Sequence, residues 1–454
     1  MSPKGQRWIW AAATLAVVAA ASSAQESAWR ADPEIAKRLA RITPAQVQET
    51  VIALVACGTR HSASESESGD RGIGAARRWL VEKLRAISAA RGGRLQVEEE
   101  WTDLVSATRL PGGKARGANV IARLVGTVEP DRIVVVSGHY DSINSKYDLR
   151  RGGIDPVGDA PGADDDASGT AVAVACAEAL ADLQFPMTVE FCAMTAEEQG
   201  LLGSEAHAKK LKESGKFVEL AITNDIVGAS RGEDGIVRNR FVRLFSPCPA
   251  GLDSPARNLA RHAVDVAKLY TPGFEPVLVF RADRYGRGGD HTSFEKLGFP
   301  GIRFTEPRED YRHQHQDVRE ESGVRYGDLP EHLDFEYLAH VARLNAALVA
   351  EVASAPPTPS DVRVNGALRH DTTVSWKAPA AVWASQVAGF EVVARSTTAA
   401  TWEKQFPGGT ESSAVVPVVL DDAVVGVRAV SKTGRRSAAS VPVERGAAES
   451  RPAR

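Results

Sequence analysis

The sequence predicts an α/β protein: a mostly parallel central sheet with helices on both faces, followed by a small all-β sandwich. Three observations carry this. Between residues 95 and 352, short apolar runs alternate with helix-spaced segments, the rhythm of a parallel sheet built through helical crossovers. One run, Ile133-Val134-Val135-Val136, is apolar without alternation, as a strand buried on both faces requires. Past the stretch Ser354-Ala355-Pro356-Pro357-Thr358-Pro359 the helix pattern ends and short alternating strands replace it, at a spacing that fits a sandwich.

Taken in order, residues 1–24 read as a secretory signal. Lys4 and Arg7 form a positive start, Trp8 to Ala21 is apolar, and Ser22-Ser23-Ala24 offers a cleavage site. The apolar run is short for a membrane span, so export to the periplasm or the extracellular space is expected, with no span in the mature chain. Residues 25–353 form the large unit and 354–359 a proline-rich linker. Residues 360–446 form the sandwich and 447–454 a disordered tail. With 454 residues, 43% hydrophobic and 25% charged, the chain has ordinary globular composition and room for two domains. A formal charge of -3 gives no polyanion-binding footprint and argues against a nucleic-acid partner. Four cysteines without a CxxC pair argue against a structural zinc knuckle. Export would permit one disulfide among them, which the sequence does not identify.

Helices are expected at Pro33 to Leu39, Pro44 to Val55, Ile73 to Ala90, Thr170 to Leu183, Leu201 to Lys212, Ser254 to Leu269 and Leu333 to Val352. Strands are expected at Leu95 to Thr102, Asn119 to Val125, Arg132 to Val136, Thr188 to Met194, Leu220 to Thr223, Val237 to Phe245 and Gly301 to Thr305. Gly58-Thr59-Arg60-His61 reads as a loop.

Chemistry collects at the strand ends. The dense loop Gly162-Ala163-Asp164-Asp165-Asp166-Ala167-Ser168-Gly169 places three carboxylates in a row, an arrangement that repels itself unless a cation sits among them. His139 and Asp141 follow one strand, Glu197 and Glu198 another, Asp225 a third, and His313 comes after the last. In a parallel sheet such ends share one rim, and imidazoles with carboxylates suit zinc. Each piece alone has a bland reading: a surface His–Asp pair, a helix-start Glu–Glu, a solvated acidic loop. Their order along one α/β pattern is the informative feature.

On Gly138-His139-Tyr140-Asp141-Ser142, Pro161 to Gly169, Ala196-Glu197-Glu198-Gln199-Gly200-Leu201-Leu202-Gly203-Ser204, Asn224-Asp225, Asp290-His291-Thr292-Ser293-Phe294 and His313-x-x-x-Asp317, the chain resembles the M28 family of co-catalytic zinc aminopeptidases, of the bacterial leucyl-aminopeptidase type, over residues 45–352. The resemblance implies a zinc-exopeptidase fold and two Zn2+ ions per catalytic domain. His139 and Asp225 would hold one ion, Glu198 and His313 the other, with Asp165 between them. Glu197 would be the general base toward a metal-bridging water, Asp141 would orient His139, and the Asp165–Asp166 bond would be cis. Peptides with a free N-terminus would be the substrates.

His315 is a competing ligand, two residues past His313. Asp290, His291 and Tyr285 are candidates for substrate contact or support of the site. Arg281, Arg284 and Arg287 crowd the same loop, either as a solvated stretch or as a pocket for acidic groups. Other readings on this scaffold are a carboxypeptidase, a glutaminyl cyclase and a non-catalytic binding protein. The C-terminal unit resembles a fibronectin type III module, with Trp376 in its core; attachment to a surface or a substrate is one role open to it.

Overall fold

The computed structural model describes residues 29–67, 69–144, 155–249 and 251–442. The signal-like leader and the tail expected at 447–454 lie outside the described residues.

An eight-stranded sheet forms the centre. Its strands are β1 (Gln96–Val105), β2 (Lys114–Leu124), β3 (Glu129–His139), β4 (Met187–Met194), β5 (Phe217–Asn224), β6 (Phe241–Phe245), β7 (Glu275–Val279) and β8 (Gly301–Thr305), in the spatial order β1-β2-β4-β3-β5-β8-β6-β7. The middle four, β4-β3-β5-β8, run parallel. β1 and β2 add antiparallel strands at one edge, and the parallel pair β6-β7 joins β8 antiparallel at the other. The parallel centre is where the uninterrupted apolar runs fall: every residue of β4 is buried, as are Ile133 to His139 of β3.

Side chains of a strand alternate between faces, and the two cores follow that parity. Val134 and Val136 join the larger core, which also takes α1 (Pro33–Leu39), α2 (Pro44–Val55), α3 (Ile73–Ala90), α4 (Gly169–Leu180), α6 (Pro255–Tyr270) and α8 (Phe335–Ser354). Ile133 and Val135 join the opposite core, with residues of α5 (Leu202–Glu213) and α7 (His291–Glu295). The helices are started by their own sequence. Thr43 and Gln46 form a reciprocal capping box on α2, and Asp334 accepts from the Tyr337 amide at the start of α8. The second core has a polar inset. His207 bridges Glu100 and Glu190, 3.0 Å from each, which gives this buried histidine a structural role.

After α8, β11 (Ser360–Asn365), β12 (Thr372–Lys377) and β15 (Ser413–Val416) form one antiparallel sheet. A second contains β13 (Val387–Ser396), β14 (Lys404–Gly409) and β16 (Ala423–Ser431); a small hairpin, β9 (Arg319–Glu321) with β10 (Val324–Tyr326), precedes α8. Val374, Trp376 and Val416 of one sheet share a core with Phe390, Val392 and Val427 of the other, which makes the pair a sandwich. The sandwich is seated on the larger unit. Trp383 is buried in the main core and donates to Glu129 Oε2 at 2.6 Å, while Arg395 of β13 pairs with Asp253 at 2.9 Å. Cys57, Cys176 and Cys192 are buried free thiols.

Candidate metal centre

The site is built where β3, β4 and β5 end together. His139 is the last residue of β3 and lies level with Met194 at the end of β4; Asp225 follows β5 directly. Two glycines let the acidic loop come down onto these strand ends. A Cβ at Gly138 would sit 2.2 Å from the Gly169 carbonyl carbon, and one at Gly169 would sit 2.1 Å from the Asn224 oxygen.

The acidic triplet divides its labour. Asp166 is fully buried and spends its oxygens on backbone amides, accepting from His139 at 2.9 Å and Gly169 at 2.8 Å. Asp164 accepts from the Gly228 amide at 2.7 Å. Only the middle carboxylate faces imidazoles: Asp165 Oδ1 is 3.1 Å from His139 Nε2, and Oδ2 is 2.9 Å from His315 Nε2. His315 Nε2 is also 2.8 Å from Glu198 Oε1. Ligand-type atoms of His139, Asp165 and Glu198 all lie within 4.8 Å of one another, as do those of His139, Glu197 and Asp225. The Asp165–Asp166 bond is cis.

Asp141, wholly buried, fixes two parts of this arrangement. Its carboxylate accepts the amides of Glu197 (3.1 Å) and Glu198 (3.2 Å), so it clamps the turn that presents both glutamates. Its Oδ1 is 3.5 Å from His139 Nδ1, and its backbone oxygen is closer, at 3.2 Å. The turn needs the clamp: Ala196 has φ 56, a left-handed conformation that costs a non-glycine residue roughly 1–2 kcal/mol. Ile226 (φ 58) and His315 (φ 54) share that conformation, so three left-handed residues sit in or beside the cluster, the kind of concentration seen at functional sites.

His313 is the correction. Its ring stacks on His332, with centroids 3.7 Å apart and planes 6° apart, and meets Asp310 at 3.9 Å rather than Asp165 or Glu198. Asp310 accepts from the Arg312 amide and side chain, and its carbonyl accepts the His313 amide at 3.0 Å, which pins His313 outside. The left-handed turn at His315 then directs that ring inward, and Gln314 follows it, donating to Asp165 Oδ2 at 2.9 Å.

The other candidates separate. Asp290 is buried with no hydrogen bond to either carboxylate oxygen, and burial raises it to about 7. His291 is buried with Nε2 2.8 Å from the Ala282 carbonyl, and burial lowers it to about 4, which keeps it neutral. Tyr285 is 89% exposed beside Arg281 and stands in solvent. Arg284 pairs with Asp283 and Glu309, and Arg287 pairs with Glu309 at 2.7 Å, so these two arginines neutralise acids of the protein rather than forming a free cationic pocket.

Two further residues hold the site, and neither declares itself in the sequence. Asp328 accepts the amides of Asp164 (2.7 Å) and Asp165 (2.8 Å). Arg60, in the segment read as a plain loop, is wholly buried and donates to the carbonyls of Leu54, Tyr140, Pro161 and Gly162. It ties the end of β3 to the acidic loop. Arg60→Met roughly keeps the volume and strands the Tyr140 and Pro161 carbonyls, while those of Leu54 and Gly162 keep the amides of Cys57 and Ala167. Each unpaired buried group costs about 1–3 kcal/mol, so a loss of at least ~2 kcal/mol is expected in urea unfolding. A change near zero would show that the loop holds itself.

The electrostatics ask for a cation. Burial alone would raise Asp165, but His315 and His139 hold it well below the usual carboxylate range. Burial would lower both histidines, yet each is held well above its ordinary value, His139 by Asp141 and Asp165, His315 by Glu198 and Asp165. The carboxylates thus favour positive charge at the position the two rings share. Their Nε2 atoms nevertheless lack a well-angled hydrogen bond, although carboxylate oxygens stand 2.8–3.1 Å away. Ring nitrogens aimed between carboxylates without bonding geometry fit a shared metal, and this donor set suits zinc.

An imidazole–carboxylate rim at the carboxyl ends of parallel strands is the architecture of an α/β metallohydrolase. The chain belongs to peptidase family M28, whose model matches residues 119–326. It is 39% identical over 92% of its length to a protein described as a probable zinc metalloprotease of Pyricularia oryzae, covering 86% of that protein. A relative of the same description in Leptosphaeria maculans is 37% identical, over 90% of this chain and 97% of the other. Solved structures similar in fold include the LapA aminopeptidase of Legionella pneumophila (TM-score 0.53, 18% identity, 71% of this chain and 75% of that one). BSAP, a zinc aminopeptidase of Bacillus subtilis, is another (TM-score 0.51, 17% identity, 69% and 95%).

Proposed function

We propose that the protein is an exported two-zinc aminopeptidase, removing single residues from the N-terminus of peptides. The observation that carries this is Asp165, with one oxygen toward His139 and the other toward His315. His139 and Asp225 would hold one ion, Glu198 and His315 the second, with Asp165 shared. Membership of M28 and relatives described as zinc metalloproteases support zinc; the fold it shares with solved aminopeptidases supports the exopeptidase reading.

Zinc bound there supplies Lewis acidity, polarising a carbonyl and making water acidic near neutral pH. The remaining work falls to the chain itself. Glu197 is the base: its carboxylate takes the proton of the attacking water and passes it to the departing amine. Burial, reinforced by Asp225, Glu198 and Asp290, raises Glu197 well above an ordinary glutamate, which favours a group that must hold a proton between the two steps. The Asp141 clamp keeps Glu197 aimed. The carboxylates at the rim can also take the free α-ammonium of a peptide, which would limit cleavage to one residue at a time. Export rests on the signal-like leader. Among the described residues no helix is long and apolar enough to cross a membrane.

The test offers zinc-loaded protein a panel of short peptides, each with a free and an acetylated N-terminus, and reads the products by mass. Loss of single N-terminal residues from the free peptides alone is expected. Shortening of acetylated peptides from the other end would replace this reading with a carboxypeptidase.

A further inference from the structure

We propose that Arg303 is a positioning residue for Asp225 and makes the two metal positions unequal. It governs the ion at His139 and Asp225 and leaves the ion at Glu198 and His315 untouched. The inference rests on the two-ion reading above.

Arg303 lies on β8, level with Thr223 of β5, and is wholly buried. Nη2 is 2.8 Å from Asp225 Oδ1 and 3.3 Å from the Asp225 backbone oxygen, so one arm grips the residue at side chain and main chain together. The other arm is anchored: Nη1 donates to the Gly288 carbonyl at 2.8 Å and to Asp283 Oδ2 at 3.1 Å. The loop passes beside this arm at Gly288 and Gly289. A Cβ at Gly289 would lie 2.5 Å from Nη1, so glycine there leaves the space this arm occupies.

A carboxylate with one oxygen committed to a buried guanidinium has only the other to give. Asp225 is thereby held as a single-oxygen donor in one orientation. Arg303 spends its hydrogen-bonding arms on Asp225, Asp283 and Gly288, so its hold falls on the position that Asp225 serves. Lysine keeps the charge but cannot span Asp225 and Asp283 at once, because it lacks the planar fork.

The experiment titrates zinc-loaded wild type, Arg303→Lys and Asp283→Asn with a chelator and counts ions per chain by mass spectrometry. Circular dichroism confirms that each variant is folded. In Arg303→Lys one ion should leave at roughly 10–100-fold lower chelator affinity, the range for loss of an outer partner of a metal ligand, while the other leaves as in wild type. Asp283→Asn removes the charge that anchors the other arm, along with the Asp283 pairing to Arg284, while the Gly288 carbonyl remains; it should weaken the same ion by less and serves if Arg303→Lys does not fold. In a His315→Ala background, where the ion at His139 and Asp225 remains, Arg303→Lys should weaken that ion. Release unchanged in both single variants, or both ions weakened equally, overturns the proposal while leaving two ions in wild type. A wild-type chain that never takes a second ion removes the two-ion reading and this proposal with it.

Discussion

Glu197→Gln is expected to lower kcat by about 10^2–10^4-fold, the range for loss of a general base, with zinc content unchanged. The substitution is nearly isosteric. The contact that fixes this turn is the Glu197 amide on Asp141 Oδ1, a backbone bond that glutamine retains. What disappears is a carboxylate able to accept a proton. The measurement pairs steady-state kinetics on a peptide with metal analysis of the same sample, and the pairing separates two roles. Ligand-type atoms of Glu197 also lie within 4.8 Å of those of His139 and Asp225. A variant that loses both activity and one ion would make Glu197 a ligand; one that keeps full activity would end the mechanism. Aspartate at this position retains the charge but is shorter by one methylene, so Glu197→Asp should recover part of the rate only if reach is not limiting.

The sequence is legible where burial is two-sided and local. β3 and β4 announce themselves as apolar runs because water touches neither face, and β8 begins and ends where its five residues predict. β7 is not announced: Pro276 interrupts a five-residue edge strand, and its partner is distant in sequence. The site follows the same division. His139, Asp165, Glu198 and Asp225 can be read because each closes or follows a strand whose rim is set by topology. Arg60, Asp328 and Arg303 cannot, because their role is a contact made across 78 to 164 residues of chain and no local pattern marks a long-range partner. The triplet shows both sides: its density predicts a cation, but only three dimensions reveal that Asp164 and Asp166 answer to backbone amides while Asp165 alone faces the imidazoles.

The choice between His313 and His315 is where spacing and geometry part, and it gives the second large effect. Four-residue spacing to Asp317 favours His313, but the chain bends twice in between. Asp310 pins His313 against His332, and the left-handed residue at 315 turns its own ring to Asp165 and Glu198. His313 is also pushed down to about 4, by burial and then by His332, so it is neutral and engaged elsewhere. His315→Ala should therefore lose one ion, with affinity falling by more than the roughly 10–100-fold typical of an outer partner, and activity should fall with it. His313→Ala should keep both ions and lose only the stack on His332. Zinc titration of the two variants side by side decides the matter. If the losses are exchanged, zinc draws the loop into the other register, and the ligand set reverts to the one that spacing alone favours.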